Sequence, residues 1–300
     1  MRLFCVWLLL LSTGTLSAIQ SNHYVLGTNG LRSATRPDGY VYSNIFTYYK
    51  AGKIKGNQGQ TLIDDSTFIQ CIDQNIFQWN SDYCFLGGKY GCMIDIPFNN
   101  IALDIPLRFS ILNTHSQFAL GDLYVEPINF RWTFDHLDLI AAYGFYATTG
   151  KFKSHSTHNN GLGNWGNQLT LAGTYYFDCE KTWSLSAYTT YEIHCKKRNV
   201  NIRPGDNLCI DWGFGKLFAE WLTVGVVGYA EWMTTYDSGS DINFLIQGKK
   251  DRVYAIGPEI DLAFPIGCSF GSIALRSEKE FDTHLRTQGY NIVGNFSHLF

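Results

Sequence analysis

Charged side chains recur within runs of alternating residues along this 300-residue chain, flanked by apolar neighbours. Acids and bases that face one another across an interior can pair to fill the space, or can ring a constriction that selects a solute. Both arrangements use the same residue types, so both interpretations stay open. The candidate residues are Asp104, Arg108, Asp138, Glu192, His194, Asp211, Glu231, Glu259 and Asp261.

Hydrolysis is a second chemistry that the residue types allow. Ser277, Asp282 and His284 could supply a Ser/His/acid site, and His194 is a further candidate base. Such a site needs a serine held beside the base. We identify no signal that holds one there, and His194 shares its polar strand face with Glu192. We therefore predict no enzyme, and keep a lipid-modifying hydrolase as a minor alternative.

Metal binding is a third chemistry. His155 and His158 stand three residues apart in a polar stretch that also carries lysine. Two histidines could be zinc ligands, but solvated loop residues have the same pattern. The cysteines have no CxxC spacing either. We interpret the two histidines as solvated, and predict no metal and no cofactor.

All but one of the eight cysteines follow the N-terminal apolar run that contains Cys5. The remaining number is odd, so they cannot all pair within one chain. In an oxidising compartment, a bond between Cys71 and Cys84 across a turn is one option. The leftover thiol permits an intermolecular disulfide as a hypothesis, which identical migration on reducing and non-reducing gels would rule out.

Strands must position these residues, because polar and apolar residues alternate with a period of two. Leu169, Leu171 and Tyr175 share one face of a predicted strand, while Thr170 and Thr174 share the other. In a soluble sandwich the apolar face would form the core. In a barrel within lipid it faces outward, and charged residues line the lumen. Periodicity alone leaves both open.

The N-terminus and the composition favour the barrel. Residues 1–18 read as a secretory signal, with Arg2, the apolar residues 3–11 and a small-residue cleavage site ending at Ala18. Charged residues make up 16% of the chain, against about 25% in soluble domains. Aromatic residues make up another 16%, which is typical of barrels with aromatic girdles. We predict a protein of the bacterial outer membrane.

Connections of two lengths alternate along the predicted strands. Short turns on one side and longer loops on the other are the layout of outer-membrane barrels, whose tight turns are periplasmic. The predicted short turns are 178–182, 218–220 and 265–267, and the predicted long extracellular loops are 150–166, 195–205, 236–251 and 277–289.

The sequence therefore predicts an all-β fold, a transmembrane antiparallel β-barrel of about 12 strands over residues 40–300. The count takes residues 84–112 as one long or bent strand. If this stretch is instead a hairpin, the count becomes odd and the first segment lies outside the barrel. Ahead of the barrel, residues 19–39 are predicted to form an N-terminal periplasmic or plug segment, with Pro37 and Gly39 ending it.

Within that barrel, the nine charged candidates would be pore-lining residues. Ile101, Leu103 and Ile105 would lie on the opposite, lipid-facing side of their strand from Asp104 and Arg108. An arginine or lysine at the lipid face of a barrel costs about 2 to 4 kcal/mol at the midplane, which favours this assignment.

Several partners follow from the same prediction. The chain ends in Phe300 after an alternating strand, as in proteins folded by the barrel-assembly machinery. Basic residues in the predicted outer loops suggest contact with outer-membrane lipid and lipopolysaccharide, although solvated loops would have the same composition. The net charge of −3 gives no reason to expect a nucleic-acid partner.

Several segments resemble the outer-membrane protein family associated with the meta pathway of phenol degradation, in the same order along the chain. They are FALGDLYVEPINFRW, LDLIAAYGFYATTGKF, GLGNWGNQLTLAGTYYF, TWSLSAYTTYEI, PGDNLCIDWGFGK and DRVYAIGPEI, which together span residues 118–260. The resemblance implies a transporter or channel for hydrophobic or aromatic compounds, and implies no shared catalytic residues. A structural or adhesive surface barrel without transport is the main alternative.

Overall fold

The computed structural model describes residues 22–107, 110–154, 156, 159–242 and 246–300, with the side chains of 106–107 and 110–114 left aside. The predicted signal at residues 1–18, the candidate Arg108, and the two histidines His155 and His158 lie outside the described residues. Within these ranges no helix has the length and hydrophobicity needed to cross a lipid bilayer. The strands are β1 (Gly39–Lys55), β2 (Thr61–Ile63), β3 (Thr67–Phe85), β4 (Gly88–Leu107), β5 (Ser110–His115), β6 (Ala119–Leu120), β7 (Leu123–Thr133), β8 (Leu137–Ala147), β9 (Gly166–Tyr176), β10 (Trp183–His194), β11 (Asn207–Ala219), β12 (Leu222–Met233), β13 (Arg252–Ile266), β14 (Ser269–His284) and β15 (Thr287–Leu299).

A closed antiparallel barrel of 12 strands forms the body of the molecule. Its strands pair in chain order, and β1 closes the ring by pairing with β15 from Val41 opposite Leu299 to Ile54 opposite Thr287. Three short strands lie off the ring: β2 pairs with β1, and both β5 and β6 pair with β4. The predicted fold class and strand number are confirmed.

The apolar side of the alternation faces outward. On β9, Leu169 and Leu171 are 52% and 62% exposed, whereas Thr170 and Thr174 between them are buried. A soluble sandwich would bury the leucines instead, because its apolar faces meet in the core. The outer surface of this barrel therefore presents its apolar side chains to the bilayer.

The prediction that residues 84–112 form one strand is wrong. A two-residue turn at Leu86 and Gly87 separates β3 from β4, with φ values of 50° and 74° that suit the tight hairpin turn of two left-handed residues. The end of this stretch then belongs to β5. The ring still has 12 strands, because β5 pairs only with the outer end of β4.

The predicted long loop at 277–289 is also wrong. β14 runs to His284 and β15 starts at Thr287, which leaves a connection of only residues 285–286. Glu278 and Glu280 have loop-like polarity, yet both are buried on the inward face of β14. A polar lumen accepts charged side chains within a strand, so polarity alone overestimated the loop.

The cysteines in the described part of the chain are free. Cys71 and Cys84 both lie on β3, which places them roughly 40 Å apart at about 3.3 Å per residue. The option of a bond between them across a turn is therefore wrong. Cys84, Cys179, Cys195 and Cys268 are exposed, so the intermolecular disulfide stays a prediction.

An arginine at the middle of the lipid-facing surface is expected to destabilise the barrel. Leu171 lies at the midpoint of β9, and we expect Leu171→Arg to lower the free energy of unfolding by about 2–4 kcal/mol, the cost of this side chain at the bilayer midplane. Chemical unfolding of the protein in lipid vesicles measures this change in the free energy of unfolding. Leu86→Arg is the control, because Leu86 is 83% exposed in a turn at the barrel end. Equal losses in both variants would contradict the membrane orientation.

Candidate functional site

Residues 22–38 lie inside the barrel, where inward side chains bind their backbone. Asp211 accepts hydrogen bonds from the N–H groups of Gly27 at 3.1 Å and Asn29 at 3.0 Å, and from the Tyr24 hydroxyl at 2.7 Å. An irregular segment has no strand partners, so its buried N–H groups need side-chain acceptors. Three more backbone N–H groups of the segment donate to inward side chains in the same way. The N–H of His23 donates to the Glu192 carboxylate at 3.0 Å, that of Leu31 to the Glu259 carboxylate at 3.3 Å, and that of Ala34 to the Thr174 hydroxyl at 3.1 Å.

Two glycines let this N-terminal segment approach the barrel wall. Gly27 has φ +74°, and a Cβ there would lie 2.2 Å from the Glu278 carboxylate. A Cβ on Gly30 would lie 1.9 Å from the Glu259 carboxylate. Both distances are far shorter than van der Waals contact, so any larger residue would push the segment off the wall.

Most of the charged candidates lie inside the barrel in contact with this segment or with one another. Asp138 accepts hydrogen bonds from the Thr35 hydroxyl at 3.0 Å and the Tyr176 hydroxyl at 2.8 Å. Asp261 lies on the same face of β13 as Glu259 and is half-buried. The buried, inward candidates are Asp138, Glu192, His194, Asp211, Glu231 and Glu259.

Asp104 is the exception, and the predicted orientation of its strand is wrong there. Leu103 and Ile105 are buried inside, whereas the Asp104 carboxylate is 38% exposed and lies 3.8 Å from His115 of β5. At this outer end β4 pairs with β5 along one edge. Its apolar residues pack inward in a cluster with Tyr49 and Phe68, so the rule of apolar outside and polar inside fails there.

Sequence reasoning missed the cations that balance the inward carboxylates. Arg276 of β14 lies 3.0 Å from Glu259 and donates to the Gly27 carbonyl at 3.1 Å. Arg286, in the turn before β15, pairs with Glu231. The alternation of β14 continues past Ser277, so a longer predicted strand would have placed Arg276, Glu278 and Glu280 on one face.

His23, Glu192 and His194 meet inside the barrel. Their ligand-type atoms all lie within 4.8 Å of one another. Burial by itself would lower the pKa of His23, but the Glu192 carboxylate beside it, together with Asp122, raises it to about 9. No sequence signal could have joined these residues, because His23 and Glu192 are 169 positions apart.

The described residues line a cavity of about 190 Å³ between the N-terminal segment and the wall. One side is apolar, where Tyr49, Phe68 and Leu103 belong to a cluster that also includes Ile105. The other side is polar, with Glu280 accepting a hydrogen bond from the Tyr49 hydroxyl at 2.8 Å. Residues 22–26 and 159–162 also line it, so the cavity lies between the segment and an outer loop.

Two solved structures have a similar fold. An outer membrane channel from Pseudomonas putida F1 has a TM-score of 0.73, 9% identity, and coverage of 93% of this chain and 100% of that chain. The transport unit of the autotransporter AIDA-I from Escherichia coli has a TM-score of 0.50, 10% identity, and coverage of 96% and 97%. At these identities the likeness shows the fold alone.

Sequence comparison gives a family. A family model described as "Putative MetA-pathway of phenol degradation" matches residues 51–296. No curated protein sequence matches the chain. The match spans most of the barrel, from the end of β1 to β15.

Proposed function

Because this chain belongs to the family of the MetA pathway of phenol degradation, we propose that it is an outer-membrane channel for passive passage of small hydrophobic or aromatic compounds. The observation that carries the proposal is the cavity with an apolar wall inside a barrel whose outer surface is also apolar. A solute that prefers this wall to water would enter without an energy source.

The cavity suits a single aromatic ring. Its volume of about 190 Å³ exceeds the roughly 150 Å³ of an apolar protein cavity that binds benzene. Phe68, Ile72 and Leu103 offer contact to a ring, and the opposite polar side offers hydrogen bonds to one substituent. A monoaromatic compound with one polar group, such as phenol, is the solute class we propose.

The N-terminal segment is the proposed plug. Residues 22–38 occupy the lumen below the cavity and reach β1 through Pro37, whose carbonyl accepts from Asn80 at 2.7 Å near the short-turn end. Passage to the periplasm requires this segment to shift. In the proposed channel, Glu192, Asp211 and Glu259 hold the segment when it is in place and line the pore when it moves.

Uptake of phenol by cells tests the proposed function. In cells with their other channels deleted, this protein is expected to give saturable uptake at low phenol concentration. Leu103→Asn keeps the branched shape of the side chain but removes apolar surface worth about 1.5–3 kcal/mol. We therefore expect the half-saturating concentration to rise about tenfold or more, since 1.4 kcal/mol corresponds to tenfold.

The matched control is Leu62→Asn, because Leu62 lies on β2 outside the ring and is partly exposed. It should leave uptake unchanged. Uptake of phenol no faster than in cells that lack the protein would contradict the channel proposal. An equal loss of uptake in Leu103→Asn and Leu62→Asn would instead show that phenol does not pass through the cavity.

A structural or adhesive barrel without transport is the second candidate. The filled lumen favours this candidate, because an N-terminal segment that never moves would leave no path for a solute through the barrel. This candidate and the channel differ in whether the segment moves, which phenol uptake by the intact protein decides.

The geometry gives the hydrolase alternative little support. Ser277 and His284 lie seven positions apart on β14, roughly 23 Å at about 3.3 Å per residue. Residues 267–271 have the GxSxG spacing, which our sequence reading missed. They run from the hairpin turn after β13 into β14, which differs from the strand–turn–helix of a nucleophile elbow, and the Ser269 hydroxyl donates to the Leu299 carbonyl.

The proposed location is the bacterial outer membrane, with barrel-assembly machinery and lipid as partners. Lys196 and Arg198 are exposed in the outer loop 195–206 and are the proposed contacts to lipopolysaccharide phosphates. Lys197 between them is not a proposed contact, because its side chain is buried. Its Nζ lies 5.8 Å from the centre of the Phe152 ring, and burial lowers the pKa of Lys197 to about 8. The intermolecular disulfide through an exposed cysteine also remains a proposal.

A further inference from the structure

The three side chains that meet inside the barrel have the types and placement of metal ligands. His194 Nε2 lies 3.0 Å from Glu192 Oε1, and His23 Nδ1 contacts the same oxygen. Side-chain exposures are 0% for His194, 1% for Glu192 and 3% for His23. Bonds of about 2.0–2.1 Å from zinc to nitrogen or oxygen place neighbouring ligand atoms roughly 3.3 Å apart in a tetrahedron.

Each histidine is held by its other ring nitrogen. His194 Nδ1 lies 2.8 Å from the Gly205 carbonyl, so it donates there and leaves Nε2 with its lone pair toward Glu192. His23 Nε2 lies 3.4 Å from Asp122 Oδ2, which leaves Nδ1 as the free position. A carbonyl or carboxylate behind the imidazole is the arrangement that orients metal-ligating histidines.

The wall opposite these ligands is missing a side chain. Gly166 pairs with His194 across β9 and β10. A Cβ on Gly166 would lie 2.4 Å from Glu192 Oε1 and 3.1 Å from His23 Nδ1. The absence of a side chain at this position keeps the space beside the ligand atoms clear.

We propose that His23, Glu192 and His194 bind one divalent transition-metal ion of the Zn²⁺ class, which fastens the N-terminal segment to β10. Imidazole and carboxylate ligands suit zinc and its neighbours in the first transition series. Ca²⁺ and Mg²⁺ are excluded as the preferred ions, since they take oxygen ligands. Three protein ligands leave a fourth position for water.

Titration with Co²⁺ alone tests the site. The full mature protein is refolded in detergent, stripped of metal with a chelator, dialysed, and titrated while visible absorption is recorded. We expect one Co²⁺ per chain, with the d–d bands of a low-coordinate nitrogen and oxygen site. His23→Gln and His194→Gln should lose these bands. Metal binding is read without any solute, so this result is independent of the proposed channel function.

Two further variants sharpen the test. Gly166→Ala retains all three ligands but fills the space beside them, and should weaken Co²⁺ binding at least tenfold. His284→Gln is the matched control, because His284 lies 3.0 Å from the Asp282 carboxylate but has no second histidine in that cluster. It should bind Co²⁺ like the wild type.

Folding of each variant is verified by the shift that heating causes in its gel migration. If His194→Gln fails to fold, His23→Gln decides the result, because His23 lies outside the barrel strands. Absence of d–d bands in the wild type, or equal bands in the wild type and in His23→Gln, would overturn the proposal. The cluster would then be an ion pair of His23 with Glu192 and Asp122.

Discussion

Deletion of residues 19–38 is expected to convert a silent protein into one that carries steady ion current in a planar bilayer. Residues 22–38 occupy the lumen, and the barrel closes through β1 and β15 without them. The carboxylates that bound the segment, among them Glu192, Asp211 and Glu259, would then face water. An inward excess of carboxylates selects cations, so the current should be carried mainly by cations.

A substitution that dislodges the segment should have a similar but weaker effect. Gly30→Ala places a Cβ 1.9 Å from the Glu259 carboxylate, and we expect it to produce intermittent current. Gly294→Ala is the matched control, because a Cβ there meets nothing within 4 Å. Steady current from the unaltered protein, or continued silence after the deletion, would contradict the plug.

Loss of Arg286 is expected to cause the largest drop in stability. This guanidinium is buried in contact with Glu231, and the carboxylates of Asp251 and Glu280 also act on it. Burial, with Glu231 nearby, raises the pKa of Asp251 even in the intact cluster. Arg286→Met leaves buried acids without their cation, and breaking a buried pair in this way costs about 3–5 kcal/mol.

Urea unfolding of the refolded protein measures this loss. Arg252→Met is the control, since Arg252 pairs with Asp282 at 3.0 Å where both side chains are nearly half exposed. An exposed pair contributes about 0–1 kcal/mol. Replacing both partners, as in Arg286→Met with Glu231→Gln, should recover part of the loss. If Arg286→Met and Arg252→Met unfold alike, the cluster does not stabilise the barrel.

Outward and inward faces were predictable on most strands but not on β4. On β9 the alternation of Leu169, Thr170 and Leu171 identified the lipid-facing side, because lipid contacts that strand along its length. At the outer end of β4, Leu103 and Ile105 point inward toward Tyr49 and Phe68 instead. Alternation with a period of two predicts which residues share a strand face. The surroundings of each part of the strand decide which of the two faces is buried.

The sequence by itself determined the barrel and its family, because period-two alternation, turn chemistry and pairing of consecutive strands are local properties of the chain. Only the tertiary structure decided what fills the lumen. The contacts of His23 with Glu192 and of Leu31 with Glu259 join residues 169 and 228 positions apart. Such contacts form because the ring of strands closes around the segment. They cannot be predicted from the spacing of residues along the chain.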